Sequence, residues 1–338
     1  MVERLDENER SDPSRRLLVT GASGFIGSAL VRALARRGDC TVLNYDVAEP
    51  AESAARWIVG DIRDLERMRA TFRDFDPTDV VHLAARTDIR GTELADYATN
   101  TRGTSNVIEC VVNGSVTRLI LASTQFVCRP GHEPQSDEDY HPHTVYGESK
   151  VEAERLVRVA DLDTTWTIVR PTTIWGPGDL AYRSQFYRIM ARGMYFHPSG
   201  EPAMRSYGYV GNVVDQMLAI LDSATDRIAG QTLYVGDPVA PITDFVEEFA
   251  RQIGRSVRTV PRELVRVLAV FGDVMGAVSV PFPITTGRFR SMVEHYPVPI
   301  ARTFDLLGPP RYELGEAVAE TISWLRAIGL IARDAGSQ

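Results

Sequence analysis

The hydrophobic positions of the first half of the chain fall into two alternating textures. RLLVT (Arg16 to Thr20), TVLNYD (Thr41 to Asp46), RWIVGD (Arg56 to Asp61), DVVHLAA (Asp79 to Ala85), RLILAST (Arg118 to Thr124) and TWTIVRP (Thr165 to Pro171) are short, near-continuous apolar runs rich in β-branched residues. Runs without polar alternation predict strands buried on both faces, which belong in a parallel sheet covered by helices. Between them, SALVRALARRG, LERMRATFRDF, TSNVIECVVN and ESKVEAERLVRVA carry apolar residues at helical spacing. The alternation predicts an α/β fold with a doubly wound parallel sheet over residues 16–171.

After Pro171 glycines and prolines become frequent, strands shorten, and helices such as TDFVEEFARQIG and LGEAVAETISWLRAIG alternate with loops. Residues 172–338 therefore read as a smaller mixed α/β domain, packed on the first without a flexible linker. At the other end, MVERLDENERSDPSRR is charged with both signs and lacks an apolar core, so residues 1–15 read as a flexible tail rather than a signal peptide. The longest apolar region, Leu264 to Ile284, is interrupted by Arg266, Gly272–Asp273 and two prolines before it could span a bilayer. It reads as a buried helix followed by a turn, with an apolar lid or partner surface as the alternative.

Composition narrows the chemistry. A net charge of −8 over 338 residues, with no Lys/Arg-rich block, argues against nucleic acid as the main partner and leaves a small molecule as the default. The three cysteines, Cys40, Cys110 and Cys128, have no paired metal spacing, so neither disulfide framework nor zinc site is expected, and a reducing cytoplasm fits. His141 and His143 in DEDYHPHT are split by a proline and read as part of a flexible loop, with no metal expected.

The exit of the first strand, VTGASGFIGSALVRAL, sets Gly21, Gly24 and Gly27 between strand and helix. Such a turn lets backbone N–H groups at a helix N-terminus meet a pyrophosphate. Asp46 ends the second strand about twenty residues further on, where a carboxylate accepts bonds from the adenosine ribose hydroxyls and repels a 2′-phosphate; this favours NAD over NADP. Asp61, after the third strand, is a candidate for the adenine edge.

With VHLAA (Val81 to Ala85), Asn100 in NTRGT and YGESK (Tyr146 to Lys150), these features make the sequence resemble the extended short-chain dehydrogenase/reductase family of nucleotide-sugar epimerases and dehydratases. The resemblance covers nearly the whole chain and is strongest from Leu17 to Pro177. It implies a Rossmann fold with NAD held by the glycine turn, Phe25, Ile26, Asp46, Asp61, Ile62, Leu83, Ala84, Ala85, Asn100, Tyr146, Lys150 and Pro171. Residues four apart share a helix face, so Tyr146 and Lys150 can point into one cleft. A tyrosine ordinarily ionises near pH 10, and a neighbouring ammonium and a cationic nicotinamide both favour the phenolate that a base requires. Aligning Val127–Cys128 with the family's Val-Tyr pair implies Thr124 as the catalytic hydroxyl, with Ser123 the neighbouring candidate.

The same stretch discriminates among reactions. The family's 4,6-dehydratases follow the catalytic threonine with an Asp-Glu pair; here Gln125 and Phe126 follow, and neither shuttles those protons. What remains is hydride transfer between a carbinol and nicotinamide, and the resemblance to UDP-sugar 4-epimerases implies 4-epimerisation of a nucleotide sugar with NAD recycled. A dehydrogenase of a sugar, steroid or other small alcohol is the enzymatic alternative, and an NAD-sensing binding protein the non-enzymatic one. Implied substrate contacts are Thr87, Ser123, Thr124, Thr173, Phe196, His197 and Arg205, the last on a diphosphate. The resemblance also implies a homodimer through a four-helix bundle, for which Val107, Ile108, Val111, Val151 and Leu156 could supply the surface or could face the sheet instead.

Overall fold

The computed structural model describes residues 15–50, 55–179, 184–277, 282 and 284–331. All of the expected N-terminal tail except Arg15 lies outside the described residues. Six strands form where the apolar runs predict them: β1 (Arg16–Thr20), β2 (Thr41–Asp46), β3 (Arg56–Val59), β4 (Asp79–His82), β5 (Arg118–Ala122) and β6 (Thr165–Pro171). All pair in parallel, and a seventh strand, Gln231–Val235, adds beside β6. The order runs Gln231–Val235, β6, β5, β4, β1, β2, β3. From β1 the chain winds one way and from β4 the other, so a crevice opens at their carboxyl ends. Several strands stop short of the apolar run that encodes them, because Leu83–Ala85 and Ser123–Thr124 leave the sheet there to line that crevice.

Alternate residues of each buried strand feed two cores. Leu17, Val19, Val42, Val81, Ile120 and Val169 pack toward α1 (Phe25–Arg37) and the helix Val210–Asp222. On the other face Leu18, Leu43, Val80, Leu119 and Ile168 meet α2 (Leu65–Phe75), α3 (Thr104–Val112) and α4 (Val145–Val159). One strand departs from expectation. β3 pairs only with β2, and Trp57 is 42% exposed. A sheet edge, not the residue pattern, decides that.

Three further expectations change. The boundary at Pro171 does not separate two cores: Gln231–Val235 joins the sheet, Val210–Asp222 packs on α1, and Trp175, Tyr209 and Phe245 belong to the same cluster as Leu17. Apolar residues considered for a dimer surface, Val107, Ile108, Val111 and Val151, are buried within the chain, three of them against the sheet. Residues outside the described set apart, the apolar Leu264–Ile284 region is not a buried helix and a turn. The helix Arg262–Ala277 runs unbroken through Gly272–Asp273, and Leu264, Val267, Val270, Phe271 and Val274 are exposed. Among the described residues no helix is long and apolar enough to cross a membrane.

The histidine loop is also not loose. Asp139 takes His132 Nε2 at 3.1 Å and His141 Nδ1 at 3.2 Å, and His141 N–H donates to the Val127 carbonyl at 2.9 Å.

Candidate active site

A cavity of about 1630 Å³ occupies the crevice. That exceeds the roughly 300–1,000 Å³ of an ordinary ligand pocket and suits a dinucleotide with a second ligand beside it. Its floor is the glycine turn. Gly21 sits at φ +74°, and a Cβ there would lie 2.5 Å from the Ala84 nitrogen at the exit of β4. At Gly27 a Cβ would fall 2.8 Å from the Ala22 Cα and collide with the Gly21 carbonyl oxygen. Gly24 caps α1, whose first turn carries no acidic side chain, so no acid of the helix itself competes for its N-terminus. Asp46 stands across the turn, its carboxylate accepting from Ser23 N–H at 2.9 Å. Asp61 also lines the cavity, but Arg63 hydrogen-bonds and pairs with it at 2.5 Å and holds its pKa below the usual carboxylate range. A glycine cradle, a dipole end and a carboxylate at the far side fit a dinucleotide.

On the opposite wall α4 begins at Thr144, whose Oγ1 accepts from Gly147 N–H at 3.0 Å. One turn apart on this helix, Tyr146 and Lys150 both reach the cavity. The Tyr146 ring lies 6.1 Å from the rings of Tyr97 and Phe126. Lys150 is buried and its Nζ donates to the Ala122 carbonyl at 2.8 Å. Burial lowers its pKa to about 8, against the opposing pull of Glu154.

Thr124 lines the cavity at the end of β5 and accepts from Phe126 N–H at 3.3 Å, which leaves its own proton unused by that bond. Ser123 differs: its hydroxyl donates to Glu154 Oε1 at 2.5 Å. The geometry therefore separates the two hydroxyls that the sequence leaves adjacent.

Glu154 is the residue that sequence reasoning missed. It is fully buried one turn beyond Lys150 and meets Arg170, itself 1% exposed, through Nε at 2.9 Å and Nη2 at 2.8 Å. Tyr140 O–H donates to it at 2.9 Å. Burial works against the Arg170 charge, but Glu154 outweighs it and holds the guanidinium pKa above the ordinary value. Behind β4, His82 lies between Thr20 Oγ1 at 2.6 Å and Thr104 Oγ1 at 3.0 Å. Burial and then the Lys150 charge lower its pKa to about 3, so this imidazole stays neutral.

Of the expected site residues, Phe25, Ile26, Ile62, Leu83, Ala84, Ala85, Thr87, Pro171, Thr173, Phe196 and Arg205 also line the cavity. Asn100 and His197 do not. Asn100 is fully buried, exchanging hydrogen bonds with Arg86 N–H and C=O and donating to Ser149 Oγ at 2.9 Å, so it ties the loop after β4 to α4. His197 is buried off the wall, with Nδ1 3.3 Å from Tyr195 Oη. Arg205 stacks its guanidinium over the Tyr296 ring and donates to the Ser291 carbonyl at 3.0 Å. Gln125 donates to Thr173 Oγ1 at 2.9 Å, while its buried Oε1 has no hydrogen-bond partner among the described residues.

Comparison with known proteins agrees with this geometry. Residues 17–236 match the model of the NAD dependent epimerase/dehydratase family. The chain is similar to the UDP-glucose 4-epimerase of Vibrio cholerae, 31% identical over 66% of this chain and 71% of that one. It is also similar to a 3 beta-hydroxysteroid dehydrogenase/Delta 5-->4-isomerase of Mycobacterium tuberculosis, 29% identical over 75% of this chain and 72% of the relative. Among solved structures, MoeE5 in complex with UDP-glucuronic acid and NAD superposes with a TM-score of 0.71 at 25% identity, covering 93% of this chain and 99% of that one.

Proposed function

Because the chain belongs to the NAD-dependent epimerase/dehydratase family, with NAD as its cofactor, we propose that it is a nucleotide-sugar epimerase that inverts a carbinol, C4 of the sugar, through a transient ketone. The observation that carries this reading is the meeting of Tyr146, Lys150 and Thr124 on one wall of a cavity whose floor is the glycine turn. NAD held in the glycine cradle would supply a reversible hydride acceptor for the carbinol carbon. Tyr146, as phenolate, takes the hydroxyl proton and later gives it back. Lys150 holds that phenolate electrostatically and bonds the ribose hydroxyls. Thr124 donates to the substrate oxygen, a role left to it by the engagement of the Ser123 hydroxyl with Glu154. Asp46 takes the adenosine ribose. Arg205 takes the diphosphate. Asn100 acts from behind the wall, bracing the cofactor loop.

A second reading, oxidation of an apolar alcohol, is favoured by one observation: Ile189, Met194, Phe196, Phe245 and Ile284 form an apolar flank of the cavity. Incubation with UDP-, GDP- and dTDP-sugars plus NAD, followed by proton NMR and NADH absorbance, separates the two. A new sugar isomer without accumulating NADH supports epimerisation. Stoichiometric NADH with an oxidised product supports the dehydrogenase, and silence over the panel removes the nucleotide-sugar reading. A homodimer across α3 and α4 in the cytoplasm accompanies the proposal; sedimentation velocity tests the assembly, which would use outward residues such as Val112 and Val159.

A further inference from the structure

The helix Arg262–Ala277 presents an apolar surface on two sides. Inward, Val265 and Ala269 are fully buried and Gly272 packs under Ile284, where a Cβ would strike the Ile284 carbonyl. Outward, Leu264, Val267, Val270, Phe271 and Val274 are each 50–65% exposed. At 3.6 residues per turn these five fall within about a third of the helix circumference, so they make one continuous stripe along the outer face. Single exposed apolar residues are ordinary; a contiguous stripe of five marks a contact surface.

The charges beside the stripe say what kind of surface it meets. Arg266 flanks the stripe and Arg262 stands exposed at the N-terminal end of the helix, while Arg266 reaches Glu263, which lies within the arc of the stripe, only at 4.0 Å. Asp273 is engaged inward, accepting from Thr286 N–H at 3.1 Å and Oγ1 at 2.5 Å. Just upstream, Arg255 and Arg258 are exposed as well. An exposed apolar stripe with arginines around its N-terminal end, on a chain of net charge −8, is complementary to an anionic interface that also accepts hydrocarbon. A second copy of the chain would bring the same arginines together and offer only Glu263 on the stripe to meet them. We propose that the Arg262–Ala277 helix docks this protein onto an anionic lipid surface, lying in the headgroup plane with the stripe facing the hydrocarbon.

Docking there places the cavity beside the membrane. The helix packs against Thr286–Val293, whose Gly287, Arg290 and Ser291 line the cavity together with the preceding Ile284. At sixteen residues the helix is too short to span a bilayer, so association is peripheral and reversible. Nothing in this inference depends on which carbinol the enzyme converts.

Flotation of the full chain with lipid vesicles tests it. Vesicles of phosphatidylcholine containing about a third phosphatidylglycerol should carry the protein up the gradient, pure phosphatidylcholine should do so weakly, and high salt should release it. Val267→Glu and Phe271→Glu should each reduce binding about tenfold, the loss expected when one large side chain no longer enters the apolar layer. Arg262→Gln and Arg266→Gln should each reduce it roughly fivefold on anionic vesicles only. All four positions are exposed and outside the cavity, so an unchanged urea midpoint and unchanged NAD binding verify that each variant is folded. Wild-type protein left at the bottom of the gradient overturns the proposal. So do equal binding to both vesicle types, glutamate variants that still float, or a dimer in sedimentation that those substitutions dissociate.

Discussion

Glu154→Gln tests whether the buried pair of Glu154 on α4 and Arg170 on β6 is a structural requirement. The carboxylate accepts from Ser123, twice from Arg170 and from Tyr140, while Arg158 stands 3.7 Å away. A glutamine offers one acceptor oxygen and turns an NH2 toward donors, so at least two of these bonds are lost. More important, the Arg170 guanidinium, 1% exposed, remains charged without a counterion. Breaking a buried pair from one side costs about 3–5 kcal/mol. With a urea dependence of about 3 kcal/mol per molar, the unfolding midpoint should fall by about 1–2 M. The double variant Glu154→Gln/Arg170→Met leaves no guanidinium stranded at Arg170 and should regain at least half of that loss. Glu154 also holds the Lys150 proton on, so its removal should move the alkaline limb of any activity profile to lower pH. Tryptophan fluorescence in urea on both variants gives the stability arm. A loss below about 1 kcal/mol in the single variant, or a double variant less stable than the single, would refute the reasoning.

Tyr146→Phe should lower kcat by about 10²–10⁴ while NAD affinity measured by calorimetry stays within about twofold; intact turnover would remove the base assignment. Gly27→Ala places a Cβ against the Gly21 carbonyl and 2.8 Å from the Ala22 Cα, so calorimetry should record NAD binding at least about tenfold weaker with a lowered Tm. Burial holds the folded pKa of His82 at about 3, well below the 6.5 of an ordinary imidazole. Between those values the unfolded chain binds a proton that the fold does not, so stability is present above 6.5 and drains as pH falls, by on the order of 1 kcal/mol per pH unit. His82→Gln should flatten that acid limb in melts between pH 6.5 and 4; an unchanged slope assigns it to other groups.

What the chain discloses about itself divides along a physical line. Buried strands such as RLLVT are legible because both faces must be apolar, and Tyr146 and Lys150 because helical spacing alone puts them on one face. Features set by distant partners are not. RWIV has the texture of a buried strand and is an edge; QTLYV reads as one more short run until β6, sixty residues earlier, pairs with it. Arg262–Ala277 is apolar around most of its circumference, which from sequence means burial, yet the packed side is narrow and the other faces outward. Asn100 and His197 carry polar side chains near the right loops, but orientation, which spacing does not encode, turns both away from the cavity.

Glu154 is the instructive case, because its signal was present in two places. TWTIVRP contains an arginine inside an otherwise apolar run, and a guanidinium in a strand covered on both faces cannot persist without a carboxylate. That carboxylate must come from a neighbouring element at matching depth. On α4, the face that carries Tyr146 and Lys150 to the cavity continues at the same spacing to Glu154, which is the one fully buried acid of that helix. A buried charge in a strand and an acid four residues beyond Lys150 on the facing helix therefore imply each other. Their pairing also explains why the two adjacent hydroxyls diverge: Ser123 completes the buried acid, and Thr124 is left facing the cavity.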